Sequence, residues 1–440
     1  MRPTAVRRLP LRGADLVLMA QHARWKRRHA SNNASLVVHC DGPLDPARLR
    51  RAIERFLDGC PWPAARLRRP FPWGTLHWAA GPRAALTPPP VRHRVALAHA
   101  DLQRLIETEL NAPIDPRLEP PLRFTVIAVG TGTAPARGVL VATWFHPLMD
   151  PRGAQNLLVH LARLDAPDSH APGDETLPTF VAPAARRPLR ERGRLARRSL
   201  EYMRTLAPVP PVSPGAQLVS PGPVRFHQAS FAERDSVAGR AWATREISWR
   251  LAVVGKAMTD LWRRRGLPDV PFLLPISVDL RPKGEPGPTF GNMLAFHFAR
   301  FRPSETADVP ALAAALRRQM ADAVRDGQIE ANAVAMEFLK YRPLSTMLRA
   351  LPWTSSGESF SFNCADVADF PRGLGLLGRC VVNAYHVPCV LPRPGVGVFF
   401  NRCGGQNNLV IAWVDGAVTD DDAVRIVDVV REGMGWIATP

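Results

Sequence analysis

Long apolar runs and paired-cysteine spacings are both missing from this chain of 440 residues. No stretch of about 18 apolar residues occurs, so we expect no membrane-spanning helix. The six cysteines show no CxxC spacing, which argues against a zinc site and against a disulfide framework. GxSxG, P-loop and HExxH motifs are absent too, so the usual signatures of a nucleophilic serine, a phosphate-binding loop and a zinc protease are lacking. We expect no bound metal.

A recognisable secretion signal is also missing near the N-terminus. The short apolar stretch "ADLVLMA" is followed by the basic "QHARWKRRH", with no small-residue cleavage site. We therefore expect a cytoplasmic protein, and peripheral contact with the inner membrane is left open.

Acidic residues are scarce relative to basic ones. The chain has 39 Asp and Glu against 57 Lys and Arg, a formal net charge of +18. This excess reflects either overall composition or a preference for anionic partners such as phospholipid, phosphorylated cofactors or an acidic carrier protein. No RNP-type or helix-turn-helix signature accompanies it, so we expect no nucleic-acid partner. Seven arginines lie between Arg186 and Arg198; they form either a solvated helix face or a docking patch for a membrane surface or an acidic partner.

Segments with strand and helix patterns occur in both halves of the chain, on either side of a Pro-rich basic connection. Because 440 residues exceed one ordinary core, we expect an α/β (α+β) fold with an N-terminal lobe at 1–185, a crossover at 186–225 and a C-terminal lobe at 226–440. Two helices are expected around 308–325 and 329–350.

The segment "GLGLLG" matches GxGxxG, but it lacks the preceding strand and following helix of a nucleotide site, so we expect a turn.

The stretch "VLVATWFHPLMDPRGAQNLL" (139–158) carries the clearest chemical signal. A continuously apolar, β-rich run predicts an interior strand that ends at His146. Asp150 can cap the next helix, with Pro151 at its first position. A neutral imidazole at this junction can accept a proton from a hydroxyl or an amine. From the local pattern alone, a loop histidine beside a capping aspartate is the favoured interpretation.

Further motifs follow in order along nearly the whole chain. They are "LPLRGADLVLM" (9–19), "DGPLDPARLRRAIERFL" (41–57), the His-x-x-x-Asp segment, "LPISVDLRP" (274–282), "FGN" (290–292) and "SFNCADVADF" (361–370). In series they resemble the superfamily of CoA-dependent acyltransferases, which includes chloramphenicol acetyltransferase, plant BAHD enzymes, wax ester synthase/diacylglycerol acyltransferases and condensation domains. The chain looks most like the last two groups. The resemblance implies two chloramphenicol-acetyltransferase-like lobes, each a mixed β-sheet packed with helices, and an active-site channel between them.

The resemblance also implies residue roles. His146 would be the general base, and Asp150 would be structural, paired with Arg281. Asn292 and Asn363 are both candidates for the donor that stabilises the oxyanion. The acyl donor would be acyl-CoA or a phosphopantetheine-linked group on an acidic acyl carrier protein. The acceptor would be a hydroxyl or an amine on a small molecule or a lipid. No tightly bound cofactor is implied.

Two positions depart from the pattern. Many relatives carry two consecutive histidines, and Phe145 replaces the first of them; Pro151 follows Asp150 where relatives usually have glycine. These departures leave two alternatives beside a general acyltransferase. One is a condensation-domain-like enzyme that forms amides or esters on carrier-bound substrates in a natural-product pathway. The other is a catalytically degenerate member that serves as a binding or scaffold protein.

Overall fold

The structure, a computed structural model, describes residues 7–25, 32–70, 74–130, 137–165, 186–206, 213–216, 218, 220–232, 247–282, 287–341, 343, 346–347, 360–367, 369–371 and 373–438. Its described helices are α1 (Gly13–Trp25), α2 (Pro46–Gly59), α3 (His99–Asn111), α4 (Pro151–Leu164), α5 (Leu189–Thr205), α6 (Ile247–Arg264), α7 (Val309–Arg325), α8 (Gln328–Glu337) and α9 (Asp420–Met434). None of the helices in these ranges is both long enough and apolar enough to cross a bilayer.

The described strands fall into four sheets. In chain order they are β1 (Arg7–Pro10), β2 (Asn33–Cys40), β3 (Arg66–Arg68), β4 (His77–Ala80), β5 (Val91–Ala96), β6 (Leu122–Val129), β7 (Arg137–Phe145), β8 (Val224–Ala232), β9 (Phe272–Asp279), β10 (Leu294–Phe301), β11 (Asn363–Asp366), β12 (Gly375–Leu376), β13 (Arg379–Val387), β14 (Val396–Cys403), β15 (Gln406–Val414) and β16 (Ile437–Ala438). The strand orders are β12-β13-β2-β7-β6-β5, β11-β14-β15-β8-β16, the pair β10-β9, and β1-β4-β3.

The two halves of the chain are interlocked through the six-stranded sheet. Strand β13 comes from the second half but pairs antiparallel with β2, which places His386 opposite Leu36. Strand β2 in turn pairs antiparallel with β7, the strand that leads to His146. Strand β7 therefore lies in the interior of this sheet, and its residues from Gly138 to Phe145 are buried, as a continuous apolar run predicts.

Helices cover the sheets and create a two-lobed α/β fold, as the sequence predicts. One core packs α2 and α4 against the six-stranded sheet. A second core packs α6 and α9 against the five-stranded sheet. A third apolar cluster joins the two sheets and includes Val141 of β7, Phe399 of β14 and Ile106 of α3. Because these three residues are almost fully buried, the lobes are held together by apolar packing.

Two local predictions have clear outcomes. The "GLGLLG" segment forms a hairpin turn between β12 and β13, where φ is 52° at Leu377 and 76° at Gly378, so the prediction of a turn is confirmed. The helix expected at 329–350 is too long: α8 ends at Glu337 and a 3-10 turn follows at Phe338–Tyr341. Because proline disfavours a helical conformation at the residue before it, a single helix could not run unbroken past Pro343 to residue 350. Residues 342, 344–345 and 348–350 of that prediction lie outside the described residues.

Candidate active site

His146 lies where β7 ends and a 3-10 turn, His146–Leu148, begins. Its backbone N–H donates to the Asn32 carbonyl at 2.9 Å, and its own carbonyl accepts from Met149 N–H at 3.2 Å. The indole N–H of Trp144 donates to the Met149 carbonyl at 2.8 Å. Burial lowers the pKa of His146 below its ordinary value, although its own carbonyl and the charge of Asp150 oppose that shift. The imidazole is therefore neutral near pH 7 and able to accept a proton.

Asp150 caps α4 and binds the second half of the chain at the same time. Its Oδ1 accepts from Gly153 N–H at 2.9 Å. The Arg281 guanidinium donates to both carboxylate oxygens, at 2.8 and 3.0 Å, and Met293 N–H donates to Oδ2 at 3.0 Å. The side chains of Arg281 and Asp150 are only 1% and 2% exposed. A bidentate pair this deeply buried fixes orientation more than it adds stability.

The loop at 287–293 packs directly against the His146 turn. Gly291 N–H donates to the Leu148 carbonyl at 2.7 Å, and Phe290 is buried in the first-lobe core, 6.4 Å from the ring of Phe56. A Cβ on Gly153 would lie 2.1 Å from the Thr289 carbonyl oxygen. The start of α4 and this loop therefore approach more closely than any residue other than glycine at 153 permits.

The side-chain amide nitrogen of Asn292 donates to protein groups rather than pointing a free donor into the cavity. Its side-chain Nδ2 donates to Asp15 Oδ1 at 2.7 Å and to the His146 carbonyl at 3.1 Å. These two bonds use both amide hydrogens. The sequence alone assigns no role to Asp15, although this residue is the aspartate of the "LPLRGADLVLM" motif.

Asn363, the other candidate oxyanion donor, starts β11 and is partly exposed. Its side chain lines the same cavity as His146. The five sequence-predicted residues are thus divided: His146, Asp150, Arg281 and Asn292 form one hydrogen-bonded junction, while Asn363 lies on a wall of the cavity.

The cavity has a volume of about 450 Å³ and reaches His146. Its walls come from α1, α5, β9, β10, β11 and β14, and apolar side chains dominate them: Val17, Met203, Phe296, Phe298, Phe360 and Phe399. A concave, mainly apolar site with a few converging polar groups is typical of small-molecule binding sites. In the described part of the chain, no group of three or more His, Cys, Asp or Glu side chains is arranged to hold a metal ion.

The two departures from the motif fit this local structure. Phe145 is fully buried and contacts the His22 ring edge-on at 5.0 Å. Pro151 occupies the first position of α4, where its missing N–H costs no hydrogen bond. Asp150 still caps the helix and still binds Arg281. The turn therefore forms with proline after the aspartate, and Gly153 takes the position where the backbones approach closely.

Solved structures similar to this chain include condensation domains of the rhizomide and CDA synthetases. The first condensation domain of the CDA synthetase is 17% identical, with a TM-score of 0.69 and coverage of 99% of both chains. A mutant of the starter condensation domain of rhizomide synthetase RzmA, in complex with C8-CoA and Leu-SNAC, is 14% identical, with a TM-score of 0.65 and coverage of 97% of this chain and 94% of that one. No family model matches the chain, and no curated protein matches it either. The chain thus has the condensation-domain fold over nearly its whole length.

Proposed function

We propose that this protein is an acyltransferase that moves an acyl group from a thioester to an amine or hydroxyl acceptor, with His146 as the general base. The observation that carries the proposal is a neutral histidine at a mainly apolar cavity of about 450 Å³, in a chain with the fold of condensation domains. An amine acceptor is favoured, because one similar structure was solved with C8-CoA and Leu-SNAC, an acyl thioester and an aminoacyl thioester.

The proposed chemistry needs one base and one thioester. Nδ1 of His146 is enclosed by protein, so Nε2 would accept the proton as the acceptor nitrogen attacks the thioester carbonyl carbon. The C–S bond then breaks as the tetrahedral intermediate collapses, and the imidazolium returns the proton to the thiolate. Positioned donors stabilise the oxyanion in such reactions. Asn363 suits that role better than Asn292, whose amide hydrogens already bind Asp15 and the His146 carbonyl.

The donor thioester is proposed to be acyl-CoA or an acyl group on the phosphopantetheine arm of an acidic carrier protein. Both donors are anionic, and the net charge of +18 favours the approach of either one. The apolar walls of the cavity favour an acyl group with an alkyl chain.

A donor and acceptor panel tests the proposal. Purified protein is incubated with acyl-CoAs of two to sixteen carbons, with the same acyl groups on carrier proteins, and with aminoacyl thioesters, free amines and alcohols. Products are followed by mass spectrometry. We expect an amide product from at least one pair, at a rate well above a reaction without protein. Tight binding of an acyl thioester with no product from any pair would favour the degenerate, ligand-binding alternative instead.

A further inference from the structure

A buried carboxylate next to the His146 turn has no role in the proposed chemistry so far. Asp15, in the first turn of α1, is 4% exposed. Its oxygens accept from Arg12 N–H at 3.0 Å, Asn292 N–H at 3.0 Å and Asn292 Nδ2 at 2.7 Å. No cation pairs with it among the described residues. Burying a carboxylate without a counter-ion is costly, so this arrangement calls for a functional reason.

The ionised carboxylate fixes which way the Asn292 amide points. Nδ2 faces two acceptors, the Asp15 carboxylate and the His146 carbonyl. Asn292 Oδ1 is buried and has no hydrogen-bond partner in the described part of the chain. Turning the amide over would aim Oδ1 at the same two acceptors and would place oxygen against oxygen. The carboxylate therefore excludes the alternative orientation, in which the His146 carbonyl loses its donor.

We propose that Asp15 is a positioning residue for acyl transfer: it orients the Asn292 amide, which holds the His146 carbonyl and thereby the turn that carries the imidazole. This inference rests on the proposed function, because it assigns Asp15 a role through His146. The chain of contacts joins α1, the 287–293 loop and the 3-10 turn, three segments far apart in sequence.

The same geometry predicts a pH dependence. Burial raises the pKa of Asp15 to about 7, with its hydrogen bonds acting in the opposite direction and the nearby Glu337 charge adding to the rise. Among the charged groups on the elements packed against α1, Glu337 of α8 acts on Asp15, and Lys340 in the following 3-10 turn lies 4.0 Å from the Glu337 carboxylate. Once protonated, Asp15 can donate to the oxygen of a turned-over Asn292 amide. Transfer should therefore slow as the pH falls through about 7. Burial lowers the pKa of His146 and so opposes its protonation as the pH falls.

The ratio of kcat in the Asp15→Asn variant to kcat in the wild type, measured as a function of pH, tests this role. We expect kcat to fall about tenfold at pH 8 with little change in KM, because one charge-assisted hydrogen bond is lost. At pH 6, where the wild-type carboxyl is protonated, the two proteins should have nearly equal kcat. Titration of the acceptor amine affects both proteins equally and cancels in the ratio. Asp308→Asn, at the N-cap of α7, is the matched control and should follow the wild type at every pH. A ratio that does not change with pH would overturn the proposal.

Stability separates positioning from a merely structural role. A raised pKa in the folded protein means that stability decreases as the pH rises from the unfolded-state value to about 7. Asp15→Asn removes this pH-dependent loss of stability, so Tm should decrease less between pH 5 and pH 8 in the variant than in the wild type. The variant should nevertheless transfer acyl groups more slowly at pH 8. An activity loss that parallels a Tm loss at pH 8 would instead indicate a structural role.

Asn292→Ala should lower kcat as much as Asp15→Asn, and the double variant should lower it no further.

A second measurement does not need turnover. In protein labelled with ¹⁵N-histidine, the His146 signals, assigned with His146→Gln, should show an inflection near pH 7 that disappears in Asp15→Asn. If the wild type transfers no acyl group yet this inflection is present, the proposed function fails while the link from Asp15 to His146 stands. If the inflection is missing from the wild type, the link itself is wrong.

Discussion

Two regions that border the same cavity differ in chemistry: one is a polar, hydrogen-bonded junction and the other is an aromatic wall. The polar junction, formed by residues 146–153, 279–282 and 287–293, is held by directed bonds such as the Asp150–Arg281 pair at 2.8 and 3.0 Å. The aromatic wall, formed by Phe296, Phe298, Phe360 and Phe399, meets the same cavity with apolar surface. Directed bonds fix the position of a reacting group, whereas apolar surface tolerates ligands of different shape and length. Under the proposed function, the junction would determine the chemistry and the wall would determine which acyl chain is accepted.

The largest effect on stability is expected where the junction carries buried charge. Arg281→Ala leaves the Asp150 carboxylate buried without a counter-ion, which should lower the free energy of unfolding by about 3–5 kcal/mol in urea titrations. Asp150→Ala should cost less, because Asp279 still pairs with Arg281 at 3.2 Å. The exposed Arg83–Asp58 pair, at 2.9 Å, is the matched control, and its single alanine variants should each cost no more than about 1 kcal/mol. An equal loss of unfolding free energy at the two pairs would contradict the expectation that the buried junction is more sensitive than the surface.

Backbone proximity within the junction should produce the next largest effect. Gly153→Ala places a Cβ 2.1 Å from the Thr289 carbonyl oxygen, so α4 and the 287–293 loop must separate. We expect a loss of about 1–3 kcal/mol, measured by thermal unfolding. Gly193→Ala in α5, where a Cβ would meet no atom within 4 Å, should instead raise stability by about 0.5–1 kcal/mol. The two variants should change stability in opposite directions. A Gly153→Ala variant as stable as the wild type would contradict the close approach of α4 and the 287–293 loop.

The aromatic wall should change specificity more than stability. Phe298→Ala enlarges the cavity and should move the preferred acyl chain to a greater length. Each additional buried methylene contributes about 0.8 kcal/mol, or about fourfold in kcat/KM. The measurement is kcat/KM across a series of acyl-CoA lengths, with Val324→Ala, an exposed position on α7, as control. An unchanged length preference would mean that the acyl chain does not reach this wall.

The arginines of α5 should give the smallest effect. Arg194 and Arg198 are exposed on the outer side of α5, while Met203 of the same helix lines the cavity. Arg194→Gln with Arg198→Gln should leave Tm unchanged and raise the KM for an anionic donor about two- to fivefold at low salt. The rise should vanish at high ionic strength. Arg318→Gln, on α7, should have no such effect, and an equal rise there would indicate general charge attraction rather than a docking patch on α5.

Local sequence signals predicted the backbone structure around His146 and Asp150, because this part of the chain consists of short segments with their own physical rules. The apolar run before His146 predicts a buried strand end, and Asp150 followed by Pro151 predicts a helix start; β7 and α4 have these bounds. The Arg281 pairing came from the family resemblance, since nothing local relates residues 131 positions apart.

Long-range pairings could not be predicted in the same way. The addition of β13 to the first-half sheet joins Val38 to Ala384, and no spacing rule connects such distant segments. The bond from Asp15 to Asn292 spans 277 residues. The motif that contains Asp15 was visible in the sequence, but its partner depends on how α1 packs against the 287–293 loop.

The central claim is that His146 takes the acceptor's proton, and a single-turnover measurement tests it most directly. With a donor and an acceptor from the panel, enzyme in excess and pH 8, the rate of product formation is compared for wild type, His146→Gln and His93→Gln, an exposed histidine on β5. We predict a loss of about 10²–10⁴-fold for His146→Gln with unchanged Tm, and no loss for His93→Gln. A rate in His146→Gln equal to that of the wild type would contradict it.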